Sequence, residues 1–341
     1  MRFKLTLTVN WIDSLSIIFL LNVLLILYLN SNNYGLIDAS GSSYITYVLT
    51  VTIQALIFYI IGRFFLSDSL QYDKLYICSY IGICFFIIMN SSLEPLGLKV
   101  DQLNVQGVHL SFSSMFAIFS IITFSVTKGQ LNKIAVFFSA ILILLFLHSR
   151  AALIIFIASF ILRYRFNSSF LVICLLVVLF ATPFLIYLGS GIAIDARWVE
   201  FFRDPFSDSS YLSRTVQFVE GFKDIATHPI SGKFGGQIDS FGFIGYYMHN
   251  ILSYWRQFGL LAFLLLLIFT LYLPFKLESK LKSASIIHKE IFLLLSPFVL
   301  LNTFSAKAFE WYFIWLYFGF CAFLWSQSVR KFNNQSKGSV S

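Results

Sequence analysis

Apolar runs separated by short polar breaks occupy most of this chain, and one polar stretch from Gly189 to His249 interrupts them. Crossing a bilayer takes roughly 20 apolar residues per helix. Runs that are continuous rather than alternating argue for helices and against a strand-built barrel. The pattern therefore predicts an all-α polytopic integral membrane protein of about ten transmembrane helices, with one large external loop. The spans fall near 12–29, 44–66, 75–90, 110–126, 134–148, 151–164, 170–188, 251–273, 290–305 and 311–326. Residues 1–188 then carry helices one to seven, 189–250 the external loop, 251–326 helices eight to ten, and 327–341 a polar cytoplasmic tail.

Residues 134–148 and 151–164 are separated only by Ser149-Arg150. Merged, they make a rod of about 45 Å at 1.5 Å per residue, well beyond a hydrocarbon core of roughly 30 Å. Two short helices with Arg150 at the outer turn fit better. With that choice the loops alternate in basic content, and one side collects fifteen of the 24 basic residues, among them Arg63, Lys74, Lys128, Lys133, Arg163 and the Lys276 to Lys289 cluster. The opposite short loops hold little beyond Lys99, Arg150 and Lys307. By the positive-inside rule both termini are cytoplasmic and the 189–250 loop is external. Met1-Arg2-Phe3-Lys4 before an apolar run resembles a signal sequence, but no small-x-small site follows it, so the first span is expected to stay uncleaved.

Within the external loop, Leu212, Val216, Val219, Phe222 and Ala226 recur at helical spacing, while Arg214, Gln217, Lys223 and Asp224 lie off that line. This predicts an amphipathic helix over 210–227, capped by Ser209 or Ser210, ended by Thr227-His228-Pro229 and lying on the membrane with its apolar face down. Arg214 is placed in its first turn, where the helix dipole adds to its own charge and favours an anion.

Composition narrows the chemistry. With 58% hydrophobic and 12% charged residues the chain is far more apolar than a soluble domain. Its net charge of +8 is spread over helix ends and forms no stripe for nucleic acid. Cys78, Cys84, Cys174 and Cys321 all sit in apolar segments without metal-type spacing. No Walker loop and no dinucleotide-binding glycine pattern is present, so neither cofactor nor metal is expected.

The candidates for chemistry lie at the outer boundary. His249 sits where the loop becomes a span and titrates near neutral pH, which suits it to take a proton from a hydroxyl; a satisfied interfacial histidine is the structural alternative. Arg256 is two helical turns further on, roughly 10 Å along a helix that starts at His249, with Ser253 between them. An arginine at that depth faces a partner or a wet cavity, or snorkels to the surface. Arg150 opposes the charge rule in its outer turn, and a guanidinium fork suits phosphate. A reaction on this face, away from a nucleotide supply, calls for a substrate that carries its leaving group through the membrane, as a polyprenyl pyrophosphate sugar does.

Ser149-Arg150-Ala151-Ala152, Arg214, His228-Pro229-Ile230-Ser231-Gly232, and His249-Asn250 ahead of Phe258-Gly259 occur in an order that resembles the O-antigen polymerase and ligase family, polytopic bacterial glycosyltransferases of the Wzy and WaaL type. The resemblance covers the C-terminal two-thirds and is nearest to the polymerases. Gln257 departs from it, standing where relatives often carry an acid, and Gly232-Lys233-Phe234-Gly235 spaces its glycines widely. The resemblance implies that Arg150 and Arg214 bind the donor pyrophosphate and that His249 assists the acceptor hydroxyl, as catalytic residues. Arg256, Ser149, Asn250 and Tyr247 are expected around the substrate, and Trp198, Phe241, Tyr246 and Tyr247 are candidates for stacking on sugars. The implied partners are lipid-linked oligosaccharides, the bilayer and a chain-length regulator protein. A ligase acting on lipid A core and a flippase of lipid-linked sugars remain open as alternatives.

Overall fold

The computed structural model describes residues 9–31, 36–65, 73–89, 91–93, 96–98, 108–147, 149–164, 209–281 and 284–338. The expected span 170–188, the first part of the external loop with Trp198, Lys99 and Cys174 lie outside the described residues.

Helices dominate what is described. They are α1 (Trp11–Leu29), α2 (Tyr44–Ile60, running on into a π-helical turn at Ile61–Phe65), α3 (Asp73–Met89), α4 (Val108–Val126), α5 (Gln130–Phe146), α6 (Arg150–Tyr164), α7 (Ser209–Thr227), the short α8 (Gly236–Phe241), α9 (Leu252–Leu267, followed by a π-helical turn at Ile268–Tyr272), α10 (Leu273–Glu278), α11 (Ile286–Ser305) and α12 (Phe313–Gly338). Among the described residues the helices are joined by a short antiparallel hairpin, β1 (Ser91–Leu93) and β2 (Leu96–Leu98), with Ser91 opposite Leu98 and Leu93 opposite Leu96, and by an isolated bridge between Ile37 and Ser43. Among the described residues four helical stretches are long and apolar enough to cross a membrane: Trp11–Leu29, Tyr44–Phe64, Leu252–Glu278 and Ile286–Ser305. Ser111–Val126, Gln130–Phe146 and Phe313–Val329 are shorter apolar helices. The chain is thus a membrane protein by the character of its helices. The stretch 134–164 forms two helices, not one, with the break at Leu147 to Ser149.

The helices fall into two compact units: Met1–Ser69 with Val216–Lys289 and Thr303–Ser341, and Leu70–Thr215 with Glu290–Asn302. In the second, α3 to α6 pack through aromatic side chains. Phe137 and Phe156 stack at 5.9 Å, and Phe124 meets Phe160 edge-on at 4.9 Å. Polar contacts collect at one end of this unit: Lys128 pairs with Asp73 at 3.0 Å, and Glu290 holds both Lys133 and the Tyr164 hydroxyl at 2.6 Å.

In the first unit, α1, α2 and α12 meet at a polar latch. Asn10 caps α1 by accepting from Ile12 and Asp13 N–H, while Asp13 accepts from the Asn10 N–H at 2.9 Å. Asp13 also accepts from the Tyr59 hydroxyl at 2.6 Å and from Arg63 Nε at 3.1 Å. Arg63, counted in the sequence as a topology charge, is in fact buried in this ion pair, and its Nη2 reaches Ser326 Oγ at 3.0 Å. Buried charge is tolerable only when paired and hydrogen-bonded, and the latch meets both conditions. Beside it, Gly62 lies against the Leu316 carbonyl and Gly319 against that of Tyr59, so the backbones of α2 and α12 touch where a Cβ has no room.

Candidate functional site

The helix that carries Arg256 starts later than the sequence suggests. α9 opens at Leu252, whose N–H is held by Asn250 Oδ1 at 3.0 Å, and Ser253 N–H bonds the Asn250 carbonyl at 3.1 Å. Asparagine prefers this helix-opening position because its side chain satisfies an N–H that has no intrahelical partner. His249 therefore precedes the helix, and its expected alignment with Arg256 along one helical face is corrected. The imidazole is half-buried and lies 5.1 Å from the Tyr247 ring, which itself meets Phe309 edge-on at 6.1 Å. Between them Met248 is fully buried and packs on Gly221 of α7.

Arg256 is completely buried. Of the fates weighed from its depth, the structure gives it a partner: Nε and Nη2 both bond Asp224 Oδ2, at 2.9 and 2.6 Å. The wet, substrate-facing position expected for it is not what is found. Lys233 joins from the loop, 3.2 Å from Asp224 and 3.4 Å from Asp239. Burial works against the Lys233 charge, but the two carboxylates outweigh it and hold its pKa above the ordinary lysine value. Gly236 sits so close that a Cβ there falls 2.5 Å from Asp224 Oδ2.

The same segment breaks α9. Gly259 takes φ 77° inside the helix, so the bond from Leu260 N–H to the Arg256 carbonyl is absent. The loop replaces both halves of it: Lys233 N–H donates to the Arg256 carbonyl at 2.6 Å, and Leu260 N–H donates to the Ile230 carbonyl at 3.0 Å. Trp255 Nε1 adds a bond to the Pro229 carbonyl at 2.6 Å. Gly232, at φ 70°, lies where a Cβ comes within 2.6 Å of the Trp255 carbonyl, and one on Gly259 falls 2.5 Å from that of Ile230. His228-Pro229-Ile230-Ser231-Gly232 and Phe258-Gly259, separate motifs in the sequence, are therefore two sides of one interlock, with glycine required on both.

Gln257 is the node beneath it. Its Oε1 accepts from the Tyr44 hydroxyl at 2.8 Å and from Gly235 N–H at 3.0 Å, and its Nε2 donates to Gln237 Oε1 at 2.6 Å. An amide both donates and accepts, which an ionised acid cannot do. That accounts for glutamine at this position. The loop between α1 and α2 closes over the other side, with Ala39 N–H on the Gly242 carbonyl at 2.8 Å. There Asp38 has a lowered pKa, set first by the Ser40 hydroxyl and then by backbone N–H groups of Ser42, Ser40 and Ile244.

Ser149, Arg150 and Arg214 lie in the other unit. Arg150 is the first residue of α6 and half-buried, while Ser149 before it is buried with no partner for its Oγ among the described residues. The dipole argument suits Arg150 better than Arg214, because α7 begins at Ser209 and puts the exposed Arg214 in its second turn, where the dipole's influence has faded. α7 keeps its apolar line outward and buries its polar side instead of leaving it to water. Val216, Val219 and Phe222 are about half exposed, whereas the buried line is Gln217, Gly221, Asp224 and Ile225. Asp224 was on the face assigned to water, and it turns inward because Arg256 is there to neutralise it.

Asp224, Lys233, Gln237, Tyr44, Tyr47 and Glu310 escaped the sequence reading. Only the cluster of four glycines between Gly232 and Gly242 hinted that this loop docks closely on something. Compared with known proteins, the chain matches no family model and no curated protein.

Proposed function

We propose that this protein is a polymerase of bacterial surface polysaccharide of the O-antigen type. It transfers a growing glycan from polyprenyl pyrophosphate to a hydroxyl of another lipid-linked repeat unit, on the external face of the inner membrane. In this reading about ten helices span the bilayer, both termini are cytoplasmic, and Arg150 and Arg214 neutralise the departing pyrophosphate while His249 receives the hydroxyl proton.

The observation that carries the reading is His249 itself. It is a half-buried imidazole beside the Tyr247 ring, immediately ahead of a helix whose opening turn is fixed by Asn250 and by the interlock at Gly259. An acid–base group at the mouth of a rigid, apolar helix suits a lipid-borne substrate whose sugar end stays in water. Tyr247 offers the kind of face on which a sugar ring stacks. A ligase with a lipid A core acceptor would use the same chemistry.

One observation favours the flippase reading as the second choice: α9 is broken beside a buried, ionised Arg256, and broken helices with polar groups at the break are frequent in transporters. The Asp224 ion pair weighs against it, since it leaves Arg256 no free charge with which to greet a substrate.

The test is to incubate purified protein in proteoliposomes with defined lipid-linked repeat units, without nucleotide, and size the product on a gel. A ladder of polymers supports the polymerase, and a single transfer that occurs only when core acceptor is added supports the ligase. Movement of lipid-linked sugar between leaflets with no new glycosidic bond would replace both by the flippase.

A further inference from the structure

The connection Ala306 to Tyr312 carries one acidic residue, Glu310, and the fold ties it to the surroundings of His249 within one compact unit. Its carboxylate accepts a hydrogen bond from the Tyr47 hydroxyl on α2. Phe309, next to it, donates its N–H to Ser253 Oγ at 2.9 Å, and Ser253 is fully buried in the first turn of α9. The Phe309 ring meets Tyr247 at 6.1 Å and Phe258 at 5.5 Å, and Tyr247 lies 5.1 Å from His249. Tyr44 stacks on Tyr47 at 6.2 Å while its hydroxyl bonds Gln257 at 2.8 Å. One run of packed rings thus joins the Glu310 end to the imidazole end.

We infer that Glu310, oriented by Tyr47, is a positioning residue that fixes the Tyr247 and His249 edge of the site and stabilises the positive charge His249 acquires. The inference rests on the glycosyl-transfer reading. In that reaction the acceptor oxygen bonds the anomeric carbon, and the bond from that carbon to the pyrophosphate oxygen breaks and leaves its electron pair on the pyrophosphate. The hydroxyl proton passes to His249, and Glu310 exchanges no atom. A carboxylate held at the other end of this run of rings attracts the imidazolium as it forms.

Among the described residues the titratable groups that act on Glu310 are Tyr44 and Tyr47 on α2 and Tyr312 on its own connection, and Arg256 on α9 acts in turn on Tyr44. Burial raises the Glu310 carboxyl to about 7, and the Tyr47 hydroxyl, which favours the carboxylate, limits the rise. The group therefore changes charge close to the range in which an imidazole ordinarily titrates.

The experiment follows the protonated-carboxyl stretch by isotope-edited infrared spectroscopy on the purified full chain as pH is raised. It compares wild type with Glu310→Gln and Tyr47→Phe, and measures polymerisation of lipid-linked repeat units by the same samples. Wild type is expected to lose the band near pH 7, Glu310→Gln to lack it, and Tyr47→Phe to lose it at higher pH. In polymerisation the acid limb of kcat falls from a two-proton slope in wild type to a one-proton slope in Glu310→Gln. There kcat drops about tenfold at unchanged KM, and Glu310→Asp recovers part of the loss. A band already gone in the ordinary carboxylate range, or a Glu310→Gln protein with the wild-type pH profile, overturns the inference. Wild type that titrates as expected but makes no polymer overturns the glycosyl-transfer reading, and the positioning role with it.

Discussion

Lys233 donates its backbone N–H to the carbonyl of Arg256 at 2.6 Å, occupying the acceptor that Leu260 would use in an unbroken helix. A loop segment has taken over a helical hydrogen bond, and the helix turns aside at Gly259 to allow it. The Arg256 carbonyl and the Leu260 N–H, which would bond each other in an unbroken helix, both find new partners in the loop, as apolar surroundings require.

Because both glycines have positive φ, Gly259→Ala and Gly232→Ala each cost about 1–3 kcal/mol from conformation alone. The carbonyls of Ile230 and Trp255 leave no room for the added carbon, so the total exceeds that figure. Thermal unfolding in detergent should show a fall of several degrees for each. A double variant near the worse single one, rather than at their sum, would mark them as one contact.

Asp224→Asn should be among the most damaging changes in the protein, since it leaves the completely buried Arg256 unneutralised. Breaking such a pair costs about 3–5 kcal/mol. Adding Arg256→Met to Asp224→Asn should restore much of the lost stability, because no orphan charge remains. A double variant less stable than Asp224→Asn in the same melt would contradict the pairing.

At Gln257 an acid is predicted to be worse than the amide, although the site is electrostatically close to Arg256. Gln257→Glu loses the donor to Gln237 and so leaves a buried acceptor facing an acceptor. The expected cost is about 1–3 kcal/mol. Unfolding midpoints for Gln257→Glu measured above and below the carboxyl titration should differ, with the protonated side the more stable.

For Glu310 the sign of the pH dependence follows from a folded pKa of about 7 against an ordinary value of 4.5. A raised acid pKa means the folded protein keeps a proton that the unfolded chain has lost. Stability is then highest below the ordinary carboxyl range, falls as pH rises toward 7, and levels off above it. The span corresponds to at most about 3 kcal/mol. Melting wild type and Glu310→Gln across this range should show the variant gaining relative to wild type as pH rises, and equal curves would remove the buried acid.

His249→Ala is expected to abolish polymer in the proteoliposome assay while leaving expression, insertion and melting temperature near wild type, because the half-buried imidazole precedes α9 and the opening turn is held by Asn250. Arg150→Lys should reduce polymer severely, since lysine cannot offer the two-pronged contact. Wild-type chain lengths from His249→Ala would take this histidine out of the chemistry.

Much of this was already legible in the residues. The helices around 12–29, 44–66, 75–90 and 110–126, the division at Ser149 and Arg150, and the amphipathic helix ending at Thr227 all follow from apolar run length, helical spacing and a proline stop, which are local properties. What covers the polar side of α7 was not legible. Its periodicity marks an apolar line, but which line is buried depended on Arg256, 32 residues away, arriving to neutralise Asp224. The break at Gly259 was hidden for the same reason, because glycine in an apolar run reads as a helix residue until a loop carbonyl arrives to claim Leu260. Chain order by itself determined that this protein is built of apolar helices and where most of them begin and end. Only the tertiary structure decided which of its charges are spent on one another, because pairing energy depends on distance and burial, and neither is written in the spacing of residues along a chain.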